Sequence, residues 1–166
     1  MKNLEIKVRV KNLDEIKNRL DFAEHKPTLI QTDTYFLLGE KRLKIREEKT
    51  KSEIIYYVRK MKKGTRESIY HRITIPQKSV KFLKAVFDFI FGTKVLVAKK
   101  RNLYLYKNTR IHLDTVNNLG DFVELETVVF DDTKKESYEK DHEEVKNKLL
   151  LINYPTIAGS YSDLLK

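Results

Sequence analysis

Residues 3–10 alternate without a break, with Asn3, Glu5, Lys7 and Arg9 on one side of an extended chain and Leu4, Ile6, Val8 and Val10 on the other. That is the period of a strand with one apolar and one charged face. The pattern returns along the chain. Arg42, Lys44, Arg46 and Glu48 oppose Leu43 and Ile45, and Tyr57 and Arg59 oppose Ile54, Tyr56 and Val58. Arg66, Ser68, Tyr70 and Arg72 oppose Ile69, Ile73 and Ile75, and a turn is expected at Lys62-Lys63-Gly64-Thr65. Val95, Val97, Lys99 and Arg101 share one face of a strand over 95–106. Arg110, His112 and Asp114 oppose Ile111 and Leu113, and Phe122, Glu124 and Glu126 oppose Val123 and Leu125. With a further strand at Thr32–Leu37, the count is about eight.

Three helices interrupt the strands. Asn12 can cap one running to about Ala23, with Leu13, Ile16 and Leu20 as its buried stripe; Pro27 ends that region. Ser79 opens another, in which Val80, Leu83, Val86, Phe87 and Ile90 recur at helical spacing before Gly92. Its Phe82, Phe87, Phe89 and Phe91 are expected in the core and at its margin. Asp131 or Asp132 can cap a third helix to about Leu151, followed by a short tail. The reading is α+β, an antiparallel sheet whose apolar face is covered by helices, in a single domain over 1–166 with no linker or repeat.

Composition narrows the chemistry. Cysteine is absent, which excludes disulfides, thiolate metal sites and thiol catalysis. Thirty-four Lys and Arg against 24 Asp and Glu give +10, so a polyanionic partner is expected. The opening residues hold no apolar run, which favours a cytoplasmic location without a membrane partner. The charge is segregated: residues 41–72 hold 12 Lys and Arg against four Glu, and residues 121–144 hold ten acids against three Lys.

A solvated sheet face normally mixes polar residues with little regularity. Here Lys7, Arg9, Lys44, Arg46, Arg59, Arg72, Lys99, Arg101 and Arg110 share one, with Glu5, Asp114, Glu124 and Glu126 among them. Like charges about 5 Å apart on adjacent strands repel by roughly 3 kcal/mol at an effective dielectric near 20. Such a face needs an anion or a set of carboxylates to neutralise it. If the sheet curls toward closure, the charges converge on an axis and can grip phosphates and a hard divalent ion. The alternative is a flat basic sheet lying on nucleic acid, with Tyr57 and Tyr70 as stacking residues. The four histidines lack metal-ligand spacing, and His112 is expected as a donor in the wall rather than a ligand. No glycine-rich phosphate loop is present.

These residues resemble the CYTH, or triphosphate tunnel metalloenzyme, family along almost the whole chain. Asn3-Leu4-Glu5-Ile6-Lys7 is similar to the family's N-terminal E-x-E-x-K. The similarity continues through Thr32-Asp33-Thr34-Tyr35-Phe36, Arg42-Leu43-Lys44-Ile45-Arg46-Glu47 and Lys99-Lys100-Arg101. It ends with Ile111-His112-Leu113-Asp114, Leu119-Gly120-Asp121-Phe122-Val123-Glu124-Leu125-Glu126 and Ser160-Tyr161-Ser162-Asp163-Leu164-Leu165. The run Thr109 to Asp114 resembles a branch called class IV adenylyl cyclase-like.

The resemblance implies an eight-stranded antiparallel barrel forming a tunnel. It implies Mg²⁺ or Mn²⁺ on Glu5, Glu124 and Glu126. Lys7, Lys44, Arg46, Lys99 and Arg101 would hold a triphosphate, with Arg59 where a Lys is usual and Asp114 as an acidic tunnel residue. Arg9, Arg72 and Arg110 join the substrate-binding set from the same face, and Lys7 is a candidate general base. The implied partner is ATP, tripolyphosphate or thiamine triphosphate, and the implied reaction is cyclisation or hydrolysis, with a non-catalytic binder as a third reading. A homodimer is left open. Asn3 in place of an acid, Lys44 in place of Arg, and the lack of acids at Ser68, Tyr70 and Arg72 depart from the family pattern.

Overall fold

A computed structural model describes residues 2–62 and 65–165, with the side chains at 59–67 outside the description. The expected Lys63-Gly64 turn lies outside the described residues. Eight strands run β1 (Lys2–Val10), β2 (Glu24–Phe36), β3 (Arg42–Glu47), β4 (Ser52–Lys62), β5 (Thr65–Ile75), β6 (Thr93–Tyr106), β7 (Thr109–Val116) and β8 (Gly120–Val129). Four helices accompany them: α1 (Leu13–Lys17), α2 (Val80–Phe91), α3 (Lys135–Lys148) and α4 (Tyr161–Leu164). The strands close into a barrel in the order β1-β5-β4-β3-β2-β6-β7-β8, every pair antiparallel. Closure removes sheet edges and turns the charged faces onto a common axis. The flat-sheet alternative is thereby excluded.

The apolar faces point outward, under helices. Ile6, Val8 and Val10 of β1, with Ile111, Leu113, Val123 and Leu125, pack against Ile16 of α1, Val145 of α3, and Leu20, Leu149 and Leu151. On another side, Phe36, Leu43, Ile45 and Ile75 meet Val80, Leu83, Phe87 and Phe91 of α2. Each fully buried Ile, Leu or Phe in these clusters contributes roughly 1.5–3 kcal/mol.

Three local expectations change. The first helix stops at Lys17, and its chain then turns through short bonds such as Leu20 N–H to Lys17 O at 3.1 Å, although Ile16 and Leu20 are buried as expected. Pro27 lies inside β2, at the register break between Lys26 and Leu29, where a missing N–H is tolerated. Phe82 and Phe89 are not core: they are 69% and 92% exposed. At 100° per residue they point away from Val80, Phe87 and Phe91, which face the sheet.

The tail is ordered against one end of the barrel. Ile157 N–H bonds to Lys7 O at 2.8 Å, and Ser160 and Asp163 form a capping box at the start of α4. Asp163 is held by Arg42 at 3.2 Å and Lys94 at 2.5 Å. Tyr161 is thereby set among Tyr35, Val97, Val116 and Phe122, an apolar cluster at the base of the interior. Among the described residues, no helix is long and apolar enough to cross a membrane.

Candidate active site

Inward side chains surround a cavity of about 350 Å³. Among the described lining residues eight are Lys or Arg (Lys7, Lys44, Arg46, Lys51, Arg72, Lys99, Arg101 and Arg110) and three are Glu (Glu48, Glu124 and Glu126). The surplus marks the cavity for an anion of several charges. Leu29, Ile55, Leu103 and the stacked rings of Tyr57 and Tyr70, 4.9 Å apart, complete a partly apolar wall.

The cations are kept from repelling one another by acids interleaved with them. Asp33, fully buried on β2, lies opposite Arg46 on β3. It accepts from Arg46 Nε at 2.7 Å and Nη2 at 2.8 Å, and from Lys44 Nζ at 2.7 Å. Burial alone would raise its pKa; the Arg46 and Lys44 charges outweigh that and hold the carboxyl well below the usual range. Asp114 does the same for β6, accepting from Arg101 Nε and Nη2, both at 2.6 Å, with Lys99 at 3.5 Å. Glu53 pairs with Arg72 at 2.7 Å. Each acid orients a guanidinium fork toward the lumen while leaving other N–H groups of it to a ligand.

Lys99 shows how tightly the charges are packed. Burial, then the neighbouring Arg101, pushes its pKa down to about 8. Lys44 is lowered well below its ordinary value by burial and by Arg46. Burial and cationic neighbours thus disfavour the charged form of both side chains, and a bound anion would offset this.

Glu124 on β8 is the junction of the site. Lys7 Nζ lies at 3.2 Å, Arg101 Nη2 at 2.9 Å and His112 Nδ1 at 3.8 Å. Glu126 pairs with Arg110 at 3.0 Å. His112, Glu124 and Glu126 each offer one ligand atom, all within 4.8 Å of one another. Burial, then Arg101, lowers the His112 pKa, so the ring is neutral as a ligand must be. Its Nδ1 has no hydrogen-bond partner among the described residues, 3.8 Å being too long for one. Two carboxylates and a neutral imidazole are a donor set that fits a divalent cation.

The structure brings Lys7, Lys44, Arg46, Arg72, Lys99, Arg101, Arg110, Glu124 and Glu126 onto the cavity wall. Others are placed elsewhere. Arg9 is exposed, its guanidinium over the Phe122 ring at 5.1 Å, and it does not line the cavity. Its position at the strand end, beside the apolar base, takes it outside. Asp114 is wholly buried beneath Arg101 and Tyr161 rather than on the wall. Glu5 is buried, accepts from Tyr70 Oη, and is not in the group with His112. The Arg59 side chain lies outside the described residues. Asn3 lines the cavity, and with its amide oxygen toward Arg110 it accepts from Nη2 at 3.1 Å.

Sequence reading missed Asp33, Glu53, Gln31 and Tyr161 as parts of the site. Asp33 was visible as the inward partner of Arg46 only once the β2–β3 register was known. Tyr161 could have been found from Ser160-x-x-Asp163, a capping signature that starts a helix at the tyrosine. Its hydroxyl donates to Asp114 at 2.9 Å, and its ring lies under Lys7 Nζ at 3.9 Å and Lys99 Nζ at 5.1 Å.

Comparison with known proteins agrees with this architecture. The PH1012 protein of Pyrococcus horikoshii is 24% identical, covers 99% of both chains and superposes with a TM-score of 0.78. A conserved protein of Pyrococcus furiosus is 22% identical over 98% of this chain and 99% of its own, with a TM-score of 0.79. A Vibrio parahaemolyticus protein described as a "putative adenylate cyclase" is 20% identical over 98% and 97% of the two chains, with a TM-score of 0.72. At these identities the likeness shows the fold. No curated protein matches the chain by sequence. The sequence profile of the CYTH domain, in contrast, matches residues 1–161, and the chain therefore belongs to the CYTH family, a family of divalent-metal-dependent triphosphate-tunnel enzymes.

Proposed function

We propose that the protein is a class IV adenylyl cyclase-like enzyme, converting ATP to cyclic AMP and pyrophosphate inside the barrel. The observation that carries the reading is a single cavity wall bearing eight cations, a carboxylate–imidazole group and an apolar section with two stacked tyrosines. Cations suit three linked phosphates, and the apolar section suits an organic moiety attached to them.

Lys7, Lys44, Arg46, Lys99 and Arg101 hold the phosphate chain, with Arg72 and Arg110 near it. Lys7 is the ammonium half of a pair with Glu124, which is the state of a phosphate clamp; for it to serve as the base, that pair must first open. Asp33 and Asp114 keep the guanidinium forks in place. His112, Glu124 and Glu126 would hold Mg²⁺ or Mn²⁺, which when bound supplies charge stabilisation at the phosphorus under attack. In the cyclase reaction the 3′-oxygen bonds to the α-phosphorus, the bond to the α–β bridging oxygen breaks, pyrophosphate leaves and the hydroxyl proton passes to a base.

Incubation with ATP, tripolyphosphate or thiamine triphosphate, plus Mg²⁺ or Mn²⁺, separates the readings by product. Cyclic AMP with pyrophosphate supports the cyclase. Orthophosphate from any of the three replaces it with a triphosphatase. No product above a Glu124→Ala control, with tripolyphosphate still bound, leaves a non-catalytic binder.

A further inference from the structure

Helix α2 is apolar on both sides. Val80, Leu83, Phe87 and Phe91 bury one side against β2–β4. On the opposite side Phe82 and Phe89 form a crest, 69% and 92% exposed, with Ala85 and Val86 between them. Ile90, 59% exposed, flanks the crest. Leu37, 55% exposed, extends it at the helix C-terminus, where its N–H bonds Gly92 O at 3.0 Å. A helix that is apolar all round is a buried helix. Here half of that burial is missing within the chain.

We propose that this face is covered by α2 of a second copy of the chain, packed antiparallel about a two-fold axis passing beside Ala85. The occupant follows from the order of residues along the helix. Phe82 and Phe89 are spaced symmetrically about residue 85–86, so a two-fold sets each Phe82 on the partner's Phe89. Lys81 and Asp88 lie on one flank of the crest, again seven residues apart. Antiparallel pairing keeps that flank on the same side in both copies and brings Lys81 beside the partner's Asp88, twice. Parallel pairing about a two-fold would instead put the two flanks on opposite sides of the contact and leave Lys81 and Asp88 without partners across it. Lys81 has no ion pair within its own chain among the described residues, whereas the nearby Lys84 is already paired with Glu47. Lys81 also gains from the negative end of the partner's helix. Ala85 is the small residue that lets the helices approach where they cross.

The area is sufficient. With a full large side chain at about 200 Å², the exposed fractions of Phe82, Phe89, Ile90 and Leu37 amount to roughly 500 Å² per copy. That matches the largest contiguous apolar patch of an ordinary monomer, about 300–600 Å², which is often functional. Together with Ala85, Val86 and the Lys81 stem it approaches the roughly 800 Å² per partner of a standard specific interface. The contact is isologous, so it closes at a dimer.

Sedimentation velocity is expected to give a dimer. Phe89→Glu places two carboxylates in the interface and should raise the dimer dissociation constant roughly a thousandfold, two central contacts each being worth about 2 kcal/mol. Phe89 touches no core cluster, so the variant should fold, as an unchanged circular dichroism spectrum would show. Lys81→Glu and Asp88→Lys should each weaken the dimer, and the double exchange should restore it. The chain has no cysteine, so Ala85→Cys gives a clean test: at the crossing it should form a disulfide-linked dimer on mild oxidation. A wild-type protein that stays monomeric at all concentrations overturns the proposal. So does a dimer that survives Phe89→Glu, which would use another face. A monomer that co-sediments with anionic vesicles only when Phe89 is intact would overturn it in favour of a membrane surface. None of these readouts depends on the catalytic assignment.

Discussion

Replacing Asp33 by Asn tests whether the interior is neutralised by its own acids until a polyanion arrives. The side chain is fully buried and accepts three bonds of 2.7–2.8 Å from Lys44 and Arg46. Two unit charges about 4 Å away are each worth about 4 kcal/mol at an effective dielectric of 20. Part of that returns, because an amide is cheaper to bury than a carboxylate and its oxygen still accepts one bond. Breaking buried pairs from one side costs about 3–5 kcal/mol in measured cases. At about 2–4 °C per kcal/mol for a chain of this size, the unliganded variant should melt roughly 6–20 °C lower.

Ligand should act in the opposite direction. In the wild type a polyanion competes with Asp33 for Lys44 and Arg46; in the variant it does not. A tenfold gain in affinity adds about 1.4 kcal/mol of ligand stabilisation. Tripolyphosphate at a fixed concentration should therefore raise the melting temperature of the variant more than that of the wild type, by about 3–6 °C. Differential scanning calorimetry over a tripolyphosphate series measures both quantities. An unchanged unliganded melting temperature would show that Asp33 is not the counter-charge. A ligand shift no larger than in the wild type would show that Lys44 and Arg46 do not meet the phosphates.

Lys99 is pushed down to about 8 by burial and Arg101, so at pH 9 it is mostly neutral and a bound polyanion should recharge it. Calorimetric titration with tripolyphosphate in buffers of differing ionisation enthalpy should show proton uptake at pH 9 that shrinks toward pH 7, and Lys99→Met should reduce it. His142, buried and bonded through Nδ1 to Thr127 Oγ1 at 2.8 Å, is lowered to about 4 by burial, below an unfolded value near 6.5. The unfolded chain binds the extra proton in that window, so stability should fall as pH drops from 6.5 to 4, by roughly 3 kcal/mol for this group; denaturant melts of His142→Gln should lack that share while keeping the share of His112. Tyr161→Phe removes the donor to Asp114 but keeps the ring under Lys7, and should cost about 2 kcal/mol in the same melts; an equal stability would mean that the hydroxyl does not hold Asp114.

Strand positions and faces were legible because alternation is a local property. Lys7, Lys44, Arg46, Glu124 and Glu126 stand beside buried aliphatic residues, Lys99 and Arg101 flank the exposed Lys100 instead, and all seven reach the cavity. Which acid meets which base was not legible, since that is fixed by the register between strands distant in sequence, such as Asp33 opposite Arg46 and Arg101 opposite Asp114. Arg9 shows the limit of face reading: it obeys the period of β1 yet lies past the end of the cavity, because a barrel has a length as well as an inside. The α2 phenylalanines mislead in a related way. Hydrophobicity marks a face for burial, but the sequence of one chain does not say in which molecule the cover is found.

The register also explains why metal and polyphosphate should enter together. Glu124 is held by Lys7 and Arg101, and burial is outweighed by those charges in keeping its carboxyl well below the usual range. A cation arriving alone would have to displace two ammonium or guanidinium groups and leave them buried without counter-charge. A polyanion arriving alone would draw those same groups away and leave Glu124 and Glu126 exposed to each other. Either half-exchange strands like charges in a low-dielectric interior, whereas the double exchange pairs every group again. A metal–polyphosphate complex should therefore exchange the Glu124 ion pairs at lower cost than either component alone, while the surplus of cations on the wall still favours a polyanion. Free tripolyphosphate should accordingly bind more weakly than its Mn²⁺ complex in the wild type, and Glu124→Gln, which removes the shared acid, should narrow the gap between them.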